Sequence, residues 1–264
     1  MREVAERDFT FAKYERLCHT LRESGYGFLT VIDYMGQPPS ESKHVVMRHD
    51  VDRKVANALR MARIENEMEI RSTYYFRKAR GTFEPDVIRE VSDLGHEIGY
   101  HYEVLTRSRG DYDKAIHLFE EELSAFRAVC DVRTICMHSR PERRWDNRDL
   151  WKKYDFQAYG IEAEAYLSLD YGQAIYLSDS GRNWNTRRYK LRDEVDGCDA
   201  PEVNTTDDVM ALIRTGRVKR LVLVVHPNRW SEGALEWGVS LLSDTVINMG
   251  KSVIRLMRGG GTNA

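Results

Sequence analysis

Apolar positions along the chain switch between helical and strand spacing. From Thr10 to Glu23, the residues Phe11, Tyr14, Leu17, Cys18 and Leu21 recur every three to four positions, which predicts an amphipathic helix. Gly25 and Gly27 end it, and Phe28 to Ile32 is expected as a strand. Val45 to Met47 runs apolar directly into Arg48-His49-Asp50-Val51-Asp52. Arg53 to Met68 returns to helical spacing, with Val55, Leu59, Ala62 and Ile64 as its apolar stripe, and Ser72 to Phe76 is β-prone ahead of a turn at Gly81. Pro85 to Leu94 reads as a helix with proline favourably placed in its first turn. Gly95 stops it, and His96 to Tyr102 is the next strand.

The longest helix is expected from Tyr112 to Cys130, with Ala115, Phe119, Leu123 and Phe126 on one face, before a strand from Val132 to Met137 that ends at His138. Short strands are expected at Phe156 to Ile161 and Ala174 to Leu177, a helix at Asp207 to Thr215, and an apolar strand from Leu221 to Val225 that ends at His226. A terminal helix from Glu232 to Met249, a short strand and a Gly-rich tail at Gly259 to Gly261 complete the chain. Strands alternating with helices predict an α/β fold with a parallel sheet, as a closed or nearly closed β/α barrel. In such barrels the chemistry sits at the carboxyl ends of the strands. His49, Asp50, Asp52, His101, His138 and His226 each follow an apolar strand, so all are expected on one face.

Composition narrows the classes. A chain of 264 residues with no Pro- or Ser-rich linker and no internal repeat is expected to form one domain, with residues 1–43 as an N-terminal helix and strand, 44–230 as the chemical part and 231–264 as a C-terminal helix and tail. Lys and Arg total 40 against 42 Asp and Glu, a formal net charge of -2, so no nucleic-acid partner is expected. No apolar stretch is long enough to span a bilayer, and the charged N-terminus lacks the apolar segment of a signal peptide, so the expected location is cytoplasmic. Cys18, Cys130, Cys136 and Cys198 form no Cys-x-x-Cys pair and are expected as reduced thiols, with no support for a thiolate metal site.

Two carboxylates held two residues apart, Asp50 and Asp52, suit a division of labour in which one binds a metal and the other takes a proton from water. The alternative is that they cap the helix beginning near Lys54. In Gly95-His96-Glu97-Ile98-Gly99-Tyr100-His101-Tyr102-Glu103, His101 ends the strand and is a candidate metal ligand, whereas His96 is expected to pack beneath it.

These two runs together resemble the polysaccharide deacetylase superfamily (carbohydrate esterase family 4, the NodB homology domain), over roughly residues 44 to 230. The resemblance implies a distorted (β/α) barrel, seven-stranded, with an extra N-terminal helix. It implies Asp50 as catalytic base and Asp52 and His101 as ligands of a divalent metal such as zinc. The family's second histidine falls at Leu105, which cannot bind a metal, so His138 is the preferred substitute and Glu103 the second choice. Arg140, followed by Pro141, resembles the arginine that steers the base. Asp179, Arg182 and Trp184 correspond in order to a motif with an aspartate and a tryptophan wall, and His226, before Pro227, to the general acid.

With Asn147-Arg148-Asp149-Leu150-Trp151 and His226-Pro227-Asn228-Arg229-Trp230, the pattern is most similar to deacetylase-like proteins of bacterial O-antigen and surface-polysaccharide biosynthesis. This implies hydrolysis of an N-acetyl or similar amide on an amino-sugar precursor, whether nucleotide-linked, lipid-linked or an oligosaccharide. Glu103, Asp179, Arg182, Trp184, Arg229 and Trp230 are the expected substrate contacts, with indoles stacking on sugar rings and arginines meeting an anion. A metal-independent amidase and a non-catalytic sugar-binding protein on the same fold stand as alternatives.

Overall fold

The computed structural model describes residues 7–36, 42–140, 143–184, 202–242 and 245. The chain opens with helix α1 (Phe11–Glu23), whose N-cap Thr10 accepts a hydrogen bond from the backbone of Lys13. Strand β1 (Gly27–Leu29) and helix α2 (Val31–Gly36) follow, then β2 (His44–Val51), α3 (Val55–Glu67), β3 (Thr73–Phe76), α4 (Pro85–Asp93) and β4 (Glu97–Tyr102). The short α5 (Val104–Arg107) and long α6 (Tyr112–Arg127) lead to β5 (Thr134–Met137), and β6 (Ala163–Glu164), β7 (Ile175–Ser178), α7 (Thr206–Arg214) and β8 (Arg220–Val225) complete the alternation.

Every strand pairing is parallel, and the strands run in the order β6-β5-β4-β3-β2-β8-β7, with β1 added on the amino-terminal half of β2. The central strand β2 is buried along its whole length. Burial on both faces is why its sequence carries no simple apolar-polar alternation. The sheet curls into a distorted (β/α) barrel. Residues just beyond its two end strands, Tyr166 after β6 and Ser180 after β7, line one cavity. The guanidinium of Arg48 on β2 lies 4.4 Å from the ring centre of Tyr166.

Side chains on a strand alternate between faces, and β2 uses both. Arg48 and Asp50 point into the barrel, where Arg48 meets Cys136 of β5. His49 points outward to the helices and bonds Glu65 of α3. Glu65 is fully buried and also accepts from Tyr14 of α1, Ser72 and Tyr74, so a buried carboxylate joins two helices to the sheet. Next to it His96 donates from Nε2 to the Ala62 carbonyl (2.9 Å) and accepts at Nδ1 from the Ser72 backbone (3.3 Å), which is the packing role expected of it.

Three elements differ from the reading of the sequence. Residues Phe156 to Tyr159 form a 3-10 turn capped by Asp155, and the strand of that region is the two-residue β6 further on. The strand expected at Phe28 to Ile32 stops at Leu29, because Thr30 starts α2 by accepting from the backbone of Asp33. Helix α6 ends at Arg127 rather than Cys130. The terminal helix is seen at residues 234–242, and its remainder, the following strand and the Gly-rich tail lie outside the described residues.

Candidate active site

The carboxyl ends of β2, β4, β5, β7 and β8 meet around a cavity of about 50 Å³ lined by Asp50, Asp52, His101, His138, His226 and Arg229 among others. Asp50 is in the last turn of pleat of β2, and Asp52 stands just beyond it. Neither caps α3, whose N-cap position is Lys54, a residue with a left-handed backbone and no side-chain capping bond. The capping alternative is thereby removed, and both carboxylates are left to the cavity.

Asp52, His101 and His138 bring one ligand atom each to within 4.8 Å of one another. Nε2 of His101 is 3.5 Å and Nε2 of His138 is 3.2 Å from Oδ1 of Asp52. That Oδ1 is buried and makes no hydrogen bond. Each imidazole is fixed through its other nitrogen: Nδ1 of His101 lies 2.9 Å from the Cys136 carbonyl, and Nδ1 of His138 lies 2.7 Å from Oε2 of Glu103. Burial alone would raise the Asp52 carboxyl, but His138 and His101 outweigh it and hold it well below the usual carboxylate range.

A carboxylate and two imidazoles anchored at Nδ1 form the donor set that zinc and similar divalent ions take. The orphaned Asp52 oxygen at its centre fits such an ion. A second convergence, Asp50 with His101 and Cys136, fits less well. Burial pushes the Cys136 thiol far up, so it stays protonated, and Arg48 already places a guanidinium nitrogen 2.6 Å from the sulfur.

Leu105, where the family pattern has a histidine, is fully buried in α5 and packs in the core. His138 reaches the same centre from the end of β5. Asn147 ties the two regions together, accepting from the Thr106 backbone (2.9 Å) and donating to the His138 carbonyl (2.9 Å).

His226 stands across the cavity at the end of β8. Its Nδ1 lies 2.6 Å from Oδ1 of the fully buried Asp179, which leaves Nε2 as the nitrogen for a substrate. Burial opposes a charge on His226, but ionised Asp179 outweighs it and raises the imidazole's pKa above its ordinary value.

Several expected substrate contacts stand elsewhere. Asp179 is spent on the His226 ring, the His226 backbone N–H and Nε1 of Trp230 (2.8 Å), so it positions rather than binds. Trp184 and Trp230 are fully buried against Phe9 and one another and offer no face to a sugar. Arg182 lies over the rings of Phe9 and Trp237. Glu103 is behind His138, where it also meets Arg140 (3.1 Å) and Arg77 (2.9 Å), and His138 first, then these cations, hold its carboxyl well below the usual range despite burial. Arg229 does line the cavity.

Arg140, expected to steer the base, donates to Glu103 instead. The cation that faces Asp50 is Arg48, fully buried, with Nη1 3.8 Å from Oδ1. Strand periodicity held this signal, since Arg48 and Asp50 are two residues apart on one strand and share a face. The same rule couples Cys136 to His138. Nothing local marked Tyr166 or Ser180, which the barrel's curvature brings in.

No family model and no curated protein matches the chain. Among solved structures it is similar to a family 4 carbohydrate esterase from Streptomyces lividans (14% identity, TM-score 0.40, covering 80% of this chain and 91% of that one). It is likewise similar to PdaA of Bacillus subtilis, a family 4 carbohydrate esterase (12%, 0.40, 87% and 82%). A family 4 pseudoenzyme from Bacillus anthracis is a further match (12%, 0.40, 80% and 62%).

Proposed function

We propose that this chain hydrolyses the amide of an N-acylated amino sugar, as a divalent-metal enzyme of the polysaccharide deacetylase kind. The observation that carries the reading is the convergence of Asp52, His101 and His138, with both imidazoles anchored at Nδ1 and a buried Asp52 oxygen lacking a hydrogen-bond partner. A divalent ion held by these three residues would polarise the acyl carbonyl and acidify water.

The chain's own residues divide the proton work. Asp50 borders the same cavity and accepts a proton from the attacking water, with Nη1 of Arg48 3.8 Å from its Oδ1. His226, whose protonated form Asp179 favours, delivers a proton from Nε2 to the departing amine nitrogen. Arg229, at the cavity's edge, meets the acyl oxygen or the sugar.

The motif run Asn147 to Trp151 and the His226-Pro227-Asn228-Arg229-Trp230 run support the finer reading of an O-antigen or surface-polysaccharide precursor. Among the described residues no helix is long and apolar enough to cross a membrane. Release of free amine from N-acetylated sugars tests the reaction. The wild-type chain is expected to turn over with added zinc, and Asp50→Asn to lose at least about a thousandfold in kcat while keeping its fold. Turnover by Asp50→Asn near the wild-type rate would remove Asp50 as the base.

A further inference from the structure

Beside the small cavity lies a larger one, of about 370 Å³, lined by Thr106, Arg107, Arg109, Arg140, Arg143 and Trp145. Its volume falls in the range of small-molecule sites. None of the described residues lining it is acidic, and four are arginines.

The two cavities are built by the same loops. Thr106, Arg107 and Arg109 follow the strand that carries His101, and Arg140 and Arg143 follow His138. They are separated by one carboxylate: Oε2 of Glu103 receives Nδ1 of His138 at 2.7 Å and Nε of Arg140 at 3.1 Å. Glu103 thus joins an imidazole of the proposed metal centre to an arginine of the larger cavity.

Two of the four guanidiniums meet carboxylates. Arg107 is paired with Glu122 and Arg140 with Glu103. Among the described residues no carboxylate pairs with Arg109, which is exposed at the rim together with Arg143. The wall is also shaped. Gly110 has a positive φ of 83°, and a Cβ there would fall 2.1 Å from Nε1 of Trp145, so a bare glycine lets the indole lie against the loop. Trp145 is half-buried and supplies a flat apolar side to the cavity.

A lining with four arginines and no acid among the described residues suits an anion with several oxygens, as a phosphoryl or diphosphoryl group has. We infer that this cavity is an anion subsite for a phosphoryl or diphosphoryl group carried by the N-acylated sugar, so that the substrate is an activated, phosphate-linked amino sugar rather than a neutral glycan. The inference rests on the amide-hydrolase reading for the group beyond the anion. The anion subsite itself is measurable without turnover.

The test is titration of the full chain with inorganic pyrophosphate at low salt, repeated on Asp52→Ala to remove binding at the metal centre. Both chains are expected to bind it saturably, more weakly as potassium chloride is raised. The double variant Arg109→Ala/Arg143→Ala, whose changes lie at exposed positions, is expected to lose at least tenfold in affinity. Equal affinity in that variant, or loss of binding in Asp52→Ala alone, would overturn the subsite.

Competition then separates the carriers. A nucleoside-diphospho-N-acetylglucosamine or a short prenyl-diphospho-N-acetylglucosamine is expected to displace pyrophosphate at least tenfold better than a neutral N-acetylated tetrasaccharide. The better of the two diphosphates identifies the carrier, and equal displacement by the neutral sugar overturns the inference. Amine release without pyrophosphate binding would leave the hydrolase and remove the subsite, while binding without amine release would do the reverse.

Discussion

Oδ1 of Asp52 lies 3.2 Å from Nε2 of His138, so a carboxylate beyond β2 and an imidazole at the end of β5 face each other across the barrel mouth. In the proposed site, His138 at the end of β5 takes the place that Leu105 cannot fill, and Glu103 holds its Nδ1 at 2.7 Å.

Glu103 thus acts through His138. Outer carboxylates of this type commonly contribute about 10- to 100-fold to metal affinity. Glu103→Gln is expected to weaken zinc binding by about that factor in a competition titration with a chelating dye. Unchanged affinity would mean that His138 is held by something else.

Asp179 is expected to set the pH range of His226. Its charge raises the folded-state pKa of the imidazole, so the pair's stabilisation is complete below the unfolded histidine value and is lost as pH rises through the folded one. A general acid must also be protonated, so turnover should fall over that same upper range. Asp179→Asn is expected to move the descending limb of the kcat profile, and the His226 titration seen by NMR, to lower pH. A limb that stays in place would assign it to another group.

Gly99 has a steric reason for its place two residues before His101. A Cβ there would fall 2.2 Å from the Tyr75 ring, which crosses beneath β4 to bond Thr134 on β5 (3.1 Å). Gly99→Ala is expected to cost about 1–3 kcal/mol in denaturant unfolding, as overpacking of a core does. A loss below half of that would show that the ring is free to move aside.

Glu65 ties α1 and α3 to the sheet. Burial raises its carboxyl, but His49, His96 and Ser72 outweigh this and lower its pKa to about 2. A depressed carboxylate contributes stability that is present above its unfolded value and lost as pH falls through the folded one. Stability should therefore decline from about pH 4.5 down to about 2, and Glu65→Gln should flatten that decline in urea midpoints. Glu65→Leu, which strips the buried histidines of their partner, is expected to cost about 3–5 kcal/mol.

Much of this was written locally in the chain. Thr10, Pro85 and the capping pair of Thr205 and Asp208 mark helix starts, and the apolar runs before Asp50, His101, His138 and His226 mark strands that end in chemistry. The site residues that depend on one strand and its end were therefore legible. What depends on packing between distant segments was not. Trp184 and Trp230 are expected to stack on sugar rings, but Phe9 of the N-terminal segment covers them. Arg140 faces Glu103 instead of Asp50 because the direction of a loop side chain follows no periodicity. Phe156 to Ile161 has strand-like composition, but Asp155 caps a turn there and Gly160 closes it with a left-handed backbone.

Asp52, His101 and His138 at the barrel mouth are the proposed metal ligands, and equilibrium zinc binding, read as metal per chain after dialysis, measures them most directly. The wild-type chain should hold one equivalent, and Asp52→Ala, His101→Ala and His138→Ala should each hold well under that at the same free zinc while remaining folded. A wild-type chain that binds no divalent metal, or a His138→Ala chain that keeps its full equivalent, would contradict that assignment.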